Sequence, residues 1–356
     1  MLVTIAAIKS QEAENPHQIH LTGEDITMEL TRRHALAGAA ALAAAPMLPT
    51  IPAKAAAPVA DKQAPSFYRY KVGDIQVNAI FDGSTTFDLP DNFVLNARKD
   101  EVNAALDKAF LPKDKMTLLF TPLAINTGGK TIVIDTGMGG AAYASSKGVN
   151  GQFATNLTAA GIDPKSVDVV VISHFHPDHV NGLLNSEGTL AFPNAEVLVP
   201  ATEWKFWMDD GEMSRAPEGR MQGLFKNNRR VFEAGLKKKV TPYEWGKEVA
   251  PGLLAMETIG HSIGHTSYVL SSGSDKVFIQ SDVTNHPALF VINPGWRAFF
   301  DQDPAQAETT RRKVYDMLVA DKMRVQGFHY PFPGLGNVVK DGNGYRLVPA
   351  QWNPVI

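Results

Sequence analysis

Apolar residues change their spacing repeatedly between positions 66 and 330, and each change marks an element. In SFYRYKVGDIQVNAIFDGS, residues 66–84, two apolar runs flank Gly73-Asp74 and Asp82-Gly83 closes the second, which predicts two strands around a turn. Residues 97–110 carry Val102, Ala105, Leu106 and Phe110 at helical spacing. MTLLFTPLAINTGGKTIVIDTG, residues 116–137, predicts two strands joined at Gly128-Gly129. GQFATNLTAAGI predicts a helix closed by Gly161, and VDVVVIS, residues 167–173, the strand after it.

Downstream, a short strand is expected at AEVLVP and two helical stretches over residues 202–236. Strands are expected at GLLAMETIG, HTSYVLSS and DKVFIQSD, then a helix over residues 304–321 and a final strand near RVQGFHY. Strands and helices interleave in both halves, so the pattern predicts a layered α/β fold. No linker rich in Pro, Gly or Ser interrupts residues 65–356, which favours one domain, and no short-period repeat is visible.

Composition changes this picture in three places. A net charge of -3 gives no basic footprint, which argues against a nucleic-acid partner. There is no cysteine, so any metal must be held by His, Asp or Glu, a set that suits zinc, manganese, iron or cobalt. The third place is the amino terminus. Residues 31–57 combine Arg32-Arg33, an alanine-rich apolar run and small residues at Ala53, Ala55 and Ala57. That is the arrangement of a twin-arginine export signal, and Pro46, Pro49 and Pro52 argue against an ordinary surface helix. The expected organisation is a leader over residues 1–57, with 1–27 an over-extended start and 28–57 the signal. The mature protein, residues 58–356, is then periplasmic or secreted. No apolar run after position 60 is long enough to span a membrane, so no membrane contact is expected of the mature form.

The chemistry concentrates in ISHFHPDHVNG, residues 172–182. On extended chain, His174 and His176 point the same way and can grip one ion. Pro177 turns the backbone and aims Asp178 and His179 elsewhere, so one strand end can serve two metals about 3.5–4 Å apart. Three more sites where an apolar stretch gives out supply His261, Asp282 and His329. Asp135, in VIDTG, is a candidate to fix a ligand histidine from behind.

This ordered set, H-x-H-x-D-H at 174–179 followed by His261, Asp282 and His329, together with VIDTG at 133–137, closely resembles the metallo-β-lactamase superfamily. The resemblance covers essentially residues 66–350. It implies an αββα sandwich, two mixed β-sheets flanked by helices. It also implies that His174, His176 and His261 hold one metal and Asp178, His179 and His329 the other, with Asp282 bridging. Position 176 is His where the flavin-linked di-iron members carry Glu, which disfavours redox chemistry. Asp282 stands where zinc β-lactamases have Cys. LAFPNAEV, HSIGHTSYV and YPFPGLGNVVKDGNGYRLVP look like the methyl parathion hydrolase group, which overlaps the quorum-quenching lactonases. The stretch DVTNHPALFVINPGWRAFF, residues 282–300, departs from that group.

The expectation is therefore a metal-dependent hydrolase with two divalent ions, zinc first and Mn, Co or Fe as alternatives. A hydroxide shared by the ions would attack a carbonyl or phosphoryl centre, with Asp282 and Asp178 as catalytic carboxylates. The substrate is a small neutral lactone or ester, or an organophosphate triester, with the lactone or ester preferred. The rival is an iron-dependent oxidoreductase on the same ligands; a noncatalytic metal-binding protein is disfavoured because no ligand position is missing. A homodimer is implied by the resemblance alone. Trp207 and Phe206 in EWKFW, with Leu224 in the next helix, are expected to wall an apolar substrate pocket. His286 reads equally as a pocket residue or a loop residue, and His265 as a buried hydrogen-bonded histidine.

Overall fold

A computed structural model describes Ala60 and residues 63–356. The leader expected over residues 1–57 lies outside the described residues. Among the described residues no helix is long and apolar enough to cross a membrane.

VDVVVIS explains the layering in miniature. Val169 and Val171 face one side of their sheet and join a cluster with Ile125, Ile132 and Ile134. That cluster also contains Leu253, Ala255, Tyr268, Leu270 and Ile279 of a second sheet. Val170 and Ile172 face the other way and pack with Phe153, Leu157, Trp207, Phe225 and Phe232 of the outer helices. A strand covered on both faces needs apolar residues at consecutive positions, which is why the run does not alternate. The second sheet repeats the scheme: Phe278, Val325 and Val338 pack outward on Val314, Tyr315 and Leu318 of the helix Pro304–Asp321. The result is two facing sheets with helices outside each, the αββα sandwich expected.

Each main sheet has seven strands. In the first, Lys130–Ile134, Val169–Val171, Glu196–Pro200 and Val240–Tyr243 run parallel, and three antiparallel strands extend one side. In the second, Asp275–Ser281 and Arg324–Gly327 form the parallel pair. The carboxyl ends of these strands feed the ligand-bearing loops, as in open α/β sheets generally.

Three expectations need correction. The run 116–127 is not one strand. It breaks at Thr121-Pro122 into Lys115–Phe120 and Leu123–Thr127, which belong to different sheets. Lys115–Phe120 pairs instead with Gly83–Asp88, and the hairpin roofs a separate small core of Phe93, Leu106, Met116, Leu289 and Phe290. Residues 202–236 hold three helices, Ala201–Trp207, Asp210–Arg215 and Arg220–Glu233. The chain also does not finish near residue 330: Leu335–Asp341 and Gly344–Pro349 add a hairpin to the second sheet.

Candidate metal centre

The H-x-H-x-D-H turn is built by close backbone approach. Pro177 opens the helical turn Pro177–Val180 after extended backbone at His176, so the first two histidines and the Asp178-His179 pair leave in different directions. The turn rests on Asp135-Thr136-Gly137. The Thr136 N–H and hydroxyl both donate to the His179 carbonyl, at 2.9 and 2.8 Å. A Cβ at Gly182 would lie 1.8 Å from the Thr136 oxygen, so only glycine allows this contact. Asp135 sits in the left-handed region, φ 58°, where a non-glycine residue is strained. Its carboxylate accepts from Ser173 N and Oγ and from His179 Nδ1, each at 2.8 Å, which ties the expected backing residue to a ligand histidine.

All seven expected ligands converge in two adjoining groups, His174, His176 and His261, and Asp178, His179, Asp282 and His329. In the first, His176 Nδ1 lies 3.0 Å from His174 Nε2 and 2.8 Å from His261 Nε2. Asp282 Oδ2 lies 3.3 Å from His261 Nε2 and 2.9 Å from His329 Nε2, and so reaches both groups. His179 Nε2 and Asp282 Oδ1 are 3.3 Å apart, and both are buried with no hydrogen-bond partner.

The donor set fits divalent cations. The outward nitrogens of four histidines are engaged: His174 Nδ1 with Ser173 Oγ, His179 Nδ1 with Asp135, His261 Nδ1 with Asp301 and His329 Nδ1 with the Leu119 carbonyl. With protons held there, the Nε2 lone pairs converge inward, an arrangement suited to a cation. Electrostatics agrees. Burial, and then neighbouring imidazoles, hold His174 and His176 well below the ordinary range, so these two offer neutral lone pairs. Burial opposes charge on His179 and His329 too, but Asp282 and Asp178, joined at His179 by Asp135, outweigh burial and push both up. The second group therefore demands positive charge.

Not every candidate faces the site. Trp207 is fully buried in the helix-side core and donates from Nε1 to Glu203 at 2.7 Å. Leu224 packs in the same core. The expectation that these two wall a substrate pocket is corrected. In EWKFW the amphipathic turn puts Trp207 inward and leaves Phe206 on a cavity of about 440 Å³, with Met221, Ile259, Ile263 and Gln302. His286 lines a second cavity, about 350 Å³, which also touches His329. His265 is not a ligand. Its Nδ1–H donates to the Thr258 carbonyl, and its Nε2 accepts from Asp282 N at 3.0 Å, pinning the backbone of the shared aspartate. Burial holds it neutral, at about 3.

Three residues near the centre had been missed. Glu203, fully buried, accepts from Phe175 N, Gly264 N, Ser262 Oγ and Trp207 Nε1 at 2.5–3.0 Å, joining the first ligand loop to the His261 loop. Asp301 accepts from His261 Nδ1 at 2.8 Å. The Arg220 guanidinium lies 3.4 Å from His176 Nε2. Glu203 left a faint trace, a lone acid in an apolar stretch; the other two left none.

The family model described as the metallo-beta-lactamase superfamily matches residues 123–324, more than half of the chain. The chain belongs to the metallo-β-lactamase superfamily. With that membership comes metal-dependent hydrolysis as the reaction class. Similar solved structures include AidC, described as a dizinc quorum-quenching lactonase with a bound product: 24% identity, TM-score 0.74, covering 81% of this chain and 98% of that one. Another is AbOPH, described as a hydrolase in the beta lactamase superfamily: 26% identity, TM-score 0.74, 82% and 100% covered. A third is a probable metal-dependent hydrolase from Staphylococcus aureus, at 22% identity and TM-score 0.64, with 80% and 100% covered.

Proposed function

We propose that this superfamily member is an exported hydrolase that opens a small neutral lactone or related ester at two divalent cations, zinc first among the candidates. The carrying observation is Asp282 Oδ2, at 3.3 Å from His261 Nε2 and 2.9 Å from His329 Nε2, the meeting point of the two groups. His174, His176 and His261 would hold one cation, Asp178, His179 and His329 the other, and Asp282 both. Such a pair, when bound, lowers the pKa of water from 15.7 to about 7 and polarises a carbonyl oxygen.

The chain's own groups do the rest. Asp282, pinned through its backbone by His265, orients the attacking water. Asp178 has a side chain 18% exposed, against 3% for Asp282, and is the more accessible carboxylate of the pair. It can take the proton released by the attacking water and return it to the leaving alkoxide. The Asp135–Ser173 and Glu203 hydrogen bonds hold the ligands in place, which lowers the reorganisation needed during the reaction. The cavities beside Phe206 and His286 are mostly apolar and suit an uncharged substrate. The likeness to AidC supports the preference for lactones, and the Arg32-Arg33 leader supports export.

The test is elemental analysis of the purified protein with a panel of acyl homoserine lactones, aryl esters and phosphotriesters. About two metal equivalents and the highest kcat/KM on a lactone or ester are expected. A metal-replete protein that turns over no lactone or ester overturns the reading; a preference for phosphotriesters moves the substrate class. For export, a reporter fused to residues 28–60 should reach the periplasm only with both arginines intact. Unchanged export after changing both to Lys refutes that part.

A further inference from the structure

Residues 283–301 form a strap whose far end docks on the His261 loop. Gln302 N donates to the His261 carbonyl at 3.1 Å, and Asp303 N to the Gly260 carbonyl at 2.9 Å. From the other side, Ile263 N donates to Gln302 Oε1 at 2.6 Å. The approach is close enough that a Cβ at Gly260, φ +127°, would sit 2.3 Å from Ala307 N. The strap is held behind by Arg311, which is buried and donates to the carbonyls of Val283, Pro294 and Trp296 at 3.2, 2.9 and 2.7 Å. These backbone bonds deliver one carboxylate. Asp301 Oδ1 lies 2.8 Å from His261 Nδ1, both side chains about 4% exposed or less, and the edge of the Phe300 ring closes over the same imidazole. Asp301 Oδ2 makes no hydrogen bond and has the Arg311 guanidinium 3.7 Å away.

We propose that Asp301 is the positioning residue of the three-histidine site and that the strap exists to bring it there. By accepting the Nδ1 proton it fixes the His261 tautomer with the Nε2 lone pair turned inward and raises the basicity of that nitrogen. His174 and His179 are served by the Ser173–Asp135 pair on the ligand turn itself. His261, on a different loop of the second sheet, has no such neighbour of its own and borrows one from 40 residues downstream. The inference rests on the proposed metal assignment.

The experiment titrates metal-loaded wild type, Asp301→Ala and Asp301→Asn with a chelator, following zinc retained per chain and, after cobalt substitution, the visible d–d bands. Asp301→Ala should lose one of its two metals at about 10–100-fold lower chelator strength, with the second unchanged. Asp301→Asn, which keeps an acceptor oxygen, should fall between. The metal-free Asp301→Ala form should melt lower than wild type, because the His261 Nδ1–H and the Arg311 guanidinium lose their buried carboxylate, so the selective loss of one metal and not the melting temperature is the readout. Wild-type chelator resistance of both metals in Asp301→Ala overturns the proposal, whatever its melting temperature. If Asp301→Ala does not fold, proton NMR of the metal-loaded wild type decides. An exchange-protected imidazole N–H resonance that moves in Asp301→Asn supports the role, and its absence refutes it. A wild type that binds no metal sinks the proposed function instead, so the two failures are distinguishable.

Discussion

Two stretches meet at the candidate centre by opposite means. The turn at residues 173–182 carries four of the seven converging ligands within six positions, and its geometry is local: a proline opens a helical turn, and a glycine lets it rest on Thr136. The strap at residues 283–301 supplies no ligand. It reaches the centre through Arg311 and three backbone carbonyls, and contributes His286 to a cavity wall and Asp301 to the back of His261. On the proposed reading, the first stretch would define what is bound and the second how firmly His261 is aimed. Residue types that ligate can sit close together in sequence, whereas residues that support them need only be close in space.

Changes in the turn and its shared aspartate should have the largest effects. Asp282→Ala removes the carboxylate that reaches both groups, and kcat/KM should fall on the order of 10³-fold or more, about 4 kcal/mol of transition-state stabilisation. Full activity in a metal-replete variant would break the bridging assignment.

Next comes the tie between the ligand loops. Glu203→Ala strands four buried donors, each costing about 1–3 kcal/mol, less what water and relaxation recover. A loss of about 3–5 kcal/mol and a melting temperature lower by roughly 6–20 °C are expected. A shift under about 2 °C would mean that the loops hold together without it. Trp207→Ala should cost a similar 3–5 kcal/mol as a core cavity, with kcat/KM changed equally for short and long substrates. A loss confined to long substrates would reinstate Trp207 as a pocket wall.

In the strap, Arg311→Met leaves buried carbonyls at Val283, Pro294 and Trp296 without their donor. Stability should drop about 2–4 kcal/mol, and amide exchange should quicken in residues 283–301 ahead of residues 173–182. Uniform exchange across both stretches would deny the strap its separate anchoring. The smallest effect belongs to Phe206→Ala, at about 1 kcal/mol of binding or less for a half-buried ring, growing with the apolar size of the substrate. Identical KM changes for all sizes would remove it from the substrate path.

Legibility followed the range of each interaction. VDVVVIS announced a strand because the pattern is complete within seven residues, and the structure added that both of its faces are covered. The break at Thr121-Pro122 was hidden, because apolar residues on both sides serve two different cores and only the topology separates them. EWKFW shows the same limit. Its composition announces burial, but which ring faces the core depends on where Phe225 and Phe232 lie in the helix Arg220–Glu233.

The sequence by itself determined a layered α/β pattern and, through its resemblance to the superfamily, pointed to the αββα class and to the seven positions that converge. The pattern and the motifs that carry the resemblance both lie in short stretches of chain. Tertiary structure alone decided that Asp282 touches both groups, that Trp207 is core and Phe206 is not, and that Asp301 stands behind His261. The physical reason is that a strand's period or a ligand's chemistry is carried by a few neighbouring residues. The partner of a given imidazole nitrogen is whichever group the packing of two sheets and a strap brings within 3 Å, and no local pattern encodes that distance.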